Sequence, residues 1–235
     1  MADRSKMKKI RKSREDRGDI TREKLLTVSI EIFGRYGFDG ATTRMLSEAA
    51  GVNQQAIPYY FDGKEGLYIA AAEHIGSAIS AHVSTLRDRT RSRLAEAEVT
   101  GTPIGADEAR SLLTDILQAM ATLFVSRESE PWARFLIREQ MEPTEAFKRV
   151  YGGVMKPMLE VVARLVAILL NEAPGSQRVR LRTLALIGSV MVFRVAHAAV
   201  LAQLEWKAIG PEEVEIVRGL VRELVAAIGL EGKNA

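Results

Sequence analysis

The run Phe33-Gly34-Arg35-Tyr36-Gly37-Phe38-Asp39-Gly40-Ala41-Thr42-Thr43 decides how this chain is read, together with Leu46, Ala49, Ala50, Gly51, Val52 and then Tyr59, Phe61, Lys64, Glu65 and Leu67. Just upstream, Leu25, Val28, Ile32 and Phe33 recur at helical spacing, flanked by Ile30 and Tyr36. That pattern predicts a helix over about 20–36, closed by Gly37. Thr42 or Thr43 is placed to cap a short helix over about 43–50, with Leu46, Ala49 and Ala50 inward and Gly51 at its end. Asn53 is placed to cap a further helix over about 54–61 that carries Gln54, Gln55, Tyr59 and Tyr60. Two short helices joined by a tight glycine turn make a helix-turn-helix.

Working outward, a fourth helix starts near Lys64 and runs to about Leu94 on the stripe Leu67, Ala70, Ala71, Ile75 and Ile79. Gly101-Thr-Pro103 breaks it. Helical periodicity then covers about 106–125, 129–139, 144–170, 178–206 and 211–229, with no strand pattern. The expectation is an all-α chain of nine or ten helices. Residues 1–18 form a disordered basic arm, 19–65 a three-helix helix-turn-helix head, and 66–235 a larger helical body.

Composition narrows the function classes. The chain has 235 residues, no Cys and 3 His, and its formal net charge is +3. This excludes a disulfide framework, a Cys nucleophile and Cys-based zinc or iron–sulfur centres, and it argues against any metal site. The net charge sits in residues 1–68, with 13 Lys and Arg against 10 Asp and Glu. Residues 69–235 carry 20 of each. A basic excess at one end points to an anionic partner there, nucleic acid first. The arm (Arg4, Lys6, Lys8, Lys9, Arg11, Lys12, Arg14, Arg17) serves either as a solubilising tail or as a DNA-touching extension. No apolar segment follows it, so it is not a signal peptide. The most apolar stretch, Thr183 to Leu204, is interrupted by Arg194 and His197. A membrane span needs roughly 20 apolar residues, so a buried helix and a cytoplasmic location are expected.

The segment quoted at the outset resembles the DNA-binding head of the TetR family of transcriptional regulators over about 50 contiguous residues. The resemblance implies a homodimeric one-component regulator, usually a repressor, whose head binds double-stranded DNA at an inverted-repeat operator and whose body binds a small-molecule effector. It needs no cofactor. It also implies that Thr42 and Thr43 sit where the family contacts phosphate.

The chemistry of the head agrees. A short helix fits the major groove, and a glutamine amide pairs bidentately with adenine. Gln54 and Gln55 are therefore the candidate base readers. Thr43, Tyr59 and Lys64, with Thr42 and Tyr60, are the candidate backbone contacts, which position a protein without reading sequence. One tyrosine of the Tyr59-Tyr60 pair is expected to pack partly inward. Phe33, Phe38, Leu46, Val52, Ile57 and Phe61 are core residues. Pro58 departs from the family pattern, in which a tyrosine or another non-proline residue is usual. Either the recognition helix bends there or it begins later than residue 54.

In the body, Trp132, Arg134, Phe135, Arg138-Glu139-Gln-Met141-Glu142-Pro143-Thr144 and Phe147, with Ile187-Gly188, Phe193-Arg194 and Ala196, resemble the C-terminal domain of the CerR/CecR-like branch of the same family. The opening of helix 4, Gly63-Lys64-Glu65-Gly66-Leu67-Tyr68, fits that branch too. This implies control of genes linked to small-molecule efflux or transport. Arg194 lies in an apolar helix and needs a partner. That partner is either a carboxylate (Glu139, Glu142 or Glu160) or an anionic or carbonyl-bearing effector. Trp132, Phe135, Arg138, Met141, Phe193, Arg194 and His197 form the candidate effector set, with plain core packing as the alternative. Met158, Val162 and Leu165, with Leu184, Gly188, Met191 and Val195, form the candidate dimer surface, since two copies of such a helix pair close a two-fold four-helix bundle.

An enzyme is disfavoured. There is no phosphate-binding glycine loop, no His-Glu-x-x-His and no nucleophile elbow. Acidic pairs such as Glu212 and Glu213 stand at a helix start, where the dipole favours them. The remaining alternatives are a helical protein-interaction module, distinguished by the absence of salt-dependent DNA binding, and an activator on the same fold.

Overall fold

The computed structural model describes the backbone of residues 2–229 and the side chains from Gly18 onward. Met1, the side chains of 2–17 and the C-terminal residues 230–235 lie outside that description, and with them the side chains of the expected basic arm. The first helix, α1, runs Ala2–Gly40.

The described residues form an all-α chain without strands. After α1 come α2 (Thr43–Ala50), α3 (Ala56–Phe61), α4 (Lys64–Thr100) and α5 (Ala106–Val125). A 3-10 turn at Arg127–Ser129 leads into α6 (Glu130–Met141) and α7 (Glu145–Val150). A π-helical turn at Tyr151–Met155 then precedes α8 (Lys156–Leu170). The chain ends in α9 (Gln177–Val195), α10 (His197–Gln203) and α11 (Pro211–Ala226). Two long helices predicted from periodicity are interrupted. The one over 144–170 carries the π-helical turn at Gly152-Gly153, where adjacent glycines weaken a regular helix. The one over 178–206 breaks at Ala196, and α10 leaves α9 at 84°. Among the described residues no single helix is long and apolar enough to cross a membrane.

The chain divides into two compact units, and the division differs from the boundary at 65/66 expected from sequence. The first unit holds the residues up to Ile75 together with Pro131–Val150. The second holds Gly76–Glu130 and the residues from Tyr151 onward.

The first unit is the helix-turn-helix head with α6 and α7 built into it. Leu25, Leu26, Ile30, Phe33, Leu46, Ile57, Phe61 and Leu67 are buried in it. Each contributes about 1.5–3 kcal/mol of apolar burial. The reason α6 belongs here is aromatic. Tyr68 meets Phe33 edge-on with centroids 4.8 Å apart, meets Phe38 at 5.2 Å, and lies 4.7 Å from Phe135 of α6. Gly66 opens α4 because the Phe61 carbonyl approaches its Cα so closely that an added Cβ would lie 1.7 Å from that oxygen.

The second unit is a helical bundle centred on α5, which packs against α8, α9 and α11. Leu113, Ile116 and Leu117 of α5 share its core with Val162, Leu165 and Val166 of α8, Val179 and Val190 of α9, and Val217, Val221 and Val225 of α11. Glu212 and Glu213 sit in the first turn of α11, and Glu213 Oε2 accepts from the Gly210 N–H at 2.8 Å.

Candidate functional site

The candidate DNA-contacting residues of the head come from four short segments. Thr42 caps α2: its backbone is extended and its hydroxyl oxygen accepts from the Met45 N–H at 3.1 Å. Gly51 closes α2 in left-handed backbone, with its N–H donating to the Glu48 carbonyl. Asn53 then turns the chain, its Oδ1 accepting from the Gln55 N–H at 2.9 Å.

The two glutamines precede the recognition helix. The helix begins at Ala56, so Pro58 is its third residue. This settles the question Pro58 raised. The Gln54 carbonyl, which an N–H at residue 58 would otherwise seek, accepts instead from Ile57 N at 3.2 Å. A first-turn residue has little use for its N–H, so the proline leaves no carbonyl unpaired.

Gln54 and Gln55 are both exposed. Gln54 Nε2 donates to Thr43 Oγ1 at 2.7 Å, which ties the turn before α3 to the start of α2. Tyr59 is 80% exposed. Its ring meets Tyr60 edge-on at 4.8 Å. Tyr60 is the inward member of the pair: its hydroxyl lies 3.3 Å from where a Cβ would sit on Gly18. The Lys64 ammonium stands 4.4 Å from the centre of the Phe38 ring, a cation–π seat at the N-terminus of α4. Thr42, Thr43, Gln54, Gln55, Tyr59 and Lys64 thus come from the α2 start, the turn into α3, α3 itself and the α4 start. Sequence reasoning passed over Arg44. It is exposed on α2 beside Thr43 and pairs with Glu48 at 2.7 Å, a contact that raises the guanidinium's pKa.

The candidate effector residues divide between the units. Trp132, Phe135, Arg138 and Met141 belong to the first; Phe193, Arg194 and His197 belong to the second. Trp132 and Phe135 are buried, while Met141 is 78% exposed. Arg138 lies against Gly37, where an added Cβ would fall 2.9 Å from its Nη1, and its buried Nε has no hydrogen-bond partner.

The carboxylate partners expected for Arg194 are corrected. Its Nε donates to the Phe124 carbonyl at 2.7 Å, and its Nη2 donates to the Ser126 carbonyl. Arg194 therefore caps the C-terminal end of α5, where free carbonyls carry partial negative charge. Burial lowers the pKa of this guanidinium, and the charge of Glu130 opposes that shift. Phe193 is a core residue of the second unit. His197 is half-buried, with Nδ1 3.4 Å from the Phe193 carbonyl.

Glu139 was missed as a site residue. It is only 2% exposed. It accepts from the Tyr68 hydroxyl, from the Thr144 N–H and hydroxyl, and from the Phe147 N–H. Its partners lie up to 71 residues away in sequence, and only the Arg-Glu-x-Met-Glu-Pro-Thr run hinted at its importance.

The candidate dimer surface separates along its two helices. Met158, Val162 and Leu165 are buried in the core of their own unit at 4%, 0% and 0% exposure, which removes them from that surface. On α9, Leu184 and Val195 are 57% and 53% exposed, Gly188 is exposed and Met191 half-buried. Leu181 and Val192 extend the exposed stripe. Among the described residues no group of three or more His, Cys, Asp or Glu is placed to hold a metal ion.

The likeness to known proteins follows the same two parts. Residues 25–71 match the family described as bacterial regulatory proteins, tetR family. Residues 109–232 match the C-terminal domain of the HTH-type transcriptional dual regulator CecR. The HTH-type transcriptional dual regulator CecR of Shigella flexneri is 31% identical over 207 residues, 87% of this chain and 89% of that protein. The HTH-type transcriptional repressor NicS of Pseudomonas putida is 34% identical over 74 residues, 32% of this chain and 35% of that protein. In fold, the chain is similar to AibR, solved in complex with isovaleryl coenzyme A and operator DNA (TM-score 0.60, 12% identity, 87% of this chain and 98% of that one). A TetR-like regulator from Rhodococcus sp. RHA1 gives the same TM-score of 0.60 at 17% identity, over 91% of this chain and 97% of that one. With both parts matched and one relative aligned over most of each chain, this protein belongs to the TetR family of bacterial transcriptional regulators, as a DNA-binding protein with a CecR-type C-terminal domain.

Proposed function

We propose that the chain is a repressor that binds an inverted-repeat operator through two heads and is released by a small molecule, with efflux or transport genes among its targets. The observation that carries this reading is the set of exposed residues Thr42, Gln54, Gln55 and Tyr59 with the half-buried Thr43, whose hydroxyl accepts from the Gln54 amide at 2.7 Å. A preset glutamine amide suits base reading in the major groove. Lys64, Arg44 and the Tyr59 hydroxyl supply phosphate contacts, while Tyr60 serves mainly as the packing support of Tyr59. Repression agrees with the named activity of NicS, and CecR is described as a dual regulator.

The dimer forms on the exposed stripe of α9, through Leu184, Gly188, Met191 and Val195. Exposed apolar residues at this spacing favour a two-fold partner. Within the effector set, Arg138 is the strongest ligand-facing group, because its buried Nε lacks an acceptor. A carboxylate- or carbonyl-bearing effector supplies one. Trp132 offers an apolar wall in the same unit.

The test is selection of bound duplexes from a random library at about 0.15 M salt, followed by a reporter driven from the recovered site. One inverted repeat and reduced reporter output support the proposal. A recovered site that raises output replaces repressor by activator, and no recovered site refutes it.

A further inference from the structure

Pro58 was a departure to be explained, and its placement gives it a use. The recognition helix has an inner face of Ile57 and Phe61, at 0% and 7% exposure. Its outer face carries Pro58 and Tyr59, one turn beyond Gln54 and Gln55, and all four are exposed. The fold does not need a proline here. The Gln54 carbonyl is already bonded to Ile57 N, and Tyr59 N reaches the Gln55 carbonyl at 3.2 Å, so the helix forms without help from the ring. What the ring adds is apolar surface in the middle of a polar face whose other members are hydroxyls and amides. It is also rigid, so burying it costs no side-chain entropy. Base edges in the major groove offer one apolar group, the C5 methyl of thymine.

We infer that Pro58 is a specificity-determining residue that reads a thymine methyl in each operator half-site, next to the base pair read by Gln54 or Gln55. This rests on the reading of the polar face as the DNA interface. Burying one methyl against the ring corresponds to about fourfold in affinity per half-site. Tyr59, braced edge-on against Tyr60 at 4.8 Å, flanks the proline and directs its hydroxyl to the backbone.

The test uses the full-length protein and the duplex it selects. Each thymine is replaced in both half-sites by uracil, which removes the methyl and keeps the pairing. Affinity is measured for the native protein and for Pro58→Ala, whose alanine is a better helix former than proline. The expected result is one symmetric position where uracil weakens native binding by about fourfold per half-site and leaves Pro58→Ala unaffected. Three results overturn the inference: no uracil effect, an equal uracil effect in both proteins, or a Pro58→Ala loss spread evenly over all duplexes, which marks a backbone role. Failure of the native protein to select any duplex from the random library is a different outcome. It overturns the DNA-interface reading itself and takes this inference with it.

Discussion

The Tyr68 hydroxyl donates a hydrogen bond of 2.5 Å to Oε1 of Glu139, joining the start of α4 to α6 across 71 residues of sequence. The other carboxylate oxygen accepts from the Thr144 N–H at 3.1 Å, the Thr144 hydroxyl at 2.9 Å and the Phe147 N–H at 2.9 Å. One buried carboxylate therefore caps the N-terminus of α7 while it holds the helix that leads out of the helix-turn-helix. A buried anion is tolerated here because four donors and a helix N-terminus surround it.

Removing the carboxylate leaves those donors unpaired. Glu139→Ala is expected to lower stability by about 3–5 kcal/mol, and Tyr68→Phe by about 1–2 kcal/mol, since phenylalanine keeps the ring packing. Denaturant unfolding at fixed protein concentration checks both values.

The same pair predicts an alkaline effect. Burial, followed by the contact with Glu139, pushes the Tyr68 phenol well above its ordinary value. In the unfolded chain the phenol loses its proton near pH 10, whereas the folded protein retains it. The folded state therefore binds more protons above that pH. The contribution is fully present below about pH 10 and falls as pH rises further. Unfolding measured between about pH 9 and 11 should fall more steeply for the native protein than for Tyr68→Phe, and parallel curves would remove Tyr68 as the cause.

Gly37 breaks α1 with φ 72 and ψ 179, and Arg138 fills the place where its side chain would stand. An alanine there meets both an unfavourable backbone and the guanidinium. Gly37→Ala is expected to cost about 2 kcal/mol or more. In the double variant Gly37→Ala with Arg138→Ala, part of that loss should return, because only the backbone strain remains.

Periodicity located the helices well where they amount to local chemistry. The Thr42 cap and the Gly51 stop are short-range hydrogen-bonding devices, and their residues announce them; the cap expected at Asn53 is instead a turn ahead of α3, whose N-cap is Gln55. It located partners poorly. Val162 and Leu165 show the same helical spacing whether they face their own core or a second chain. The repeat alone does not say that α5 covers them while Leu184 and Val195 stay exposed. The partners of Arg194 are main-chain carbonyls, which have no sequence signature. Glu139 was legible only as part of a motif and as a candidate partner of Arg194, because its actual partner, Tyr68, arrives from a distant helix. With the helix expected from Gln54, Pro58 implied either a bend or a later start; the start at Ala56, two residues on, puts the proline in the first turn.

The α9 stripe gives a direct contrast. Leu184→Glu places a charge in the proposed dimer contact and should weaken dimerisation by at least about tenfold while the monomer stays folded, as sedimentation and circular dichroism would show. Val162→Glu, at 0% exposure, should instead prevent folding.

The central claim is that the face of Gln54, Gln55 and Thr43 reads DNA in a dimer. Fluorescence anisotropy on the selected inverted repeat, titrated with salt, tests it most directly. With Lys64 and Arg44 contributed by each of two heads, log K should fall with log salt at a slope of about −4. Gln54→Ala or Gln55→Ala should cut the preference for the repeat over a scrambled duplex by at least about tenfold and leave that slope nearly unchanged. Equal binding of both duplexes by the native protein, or glutamine variants that keep full preference, would contradict the account.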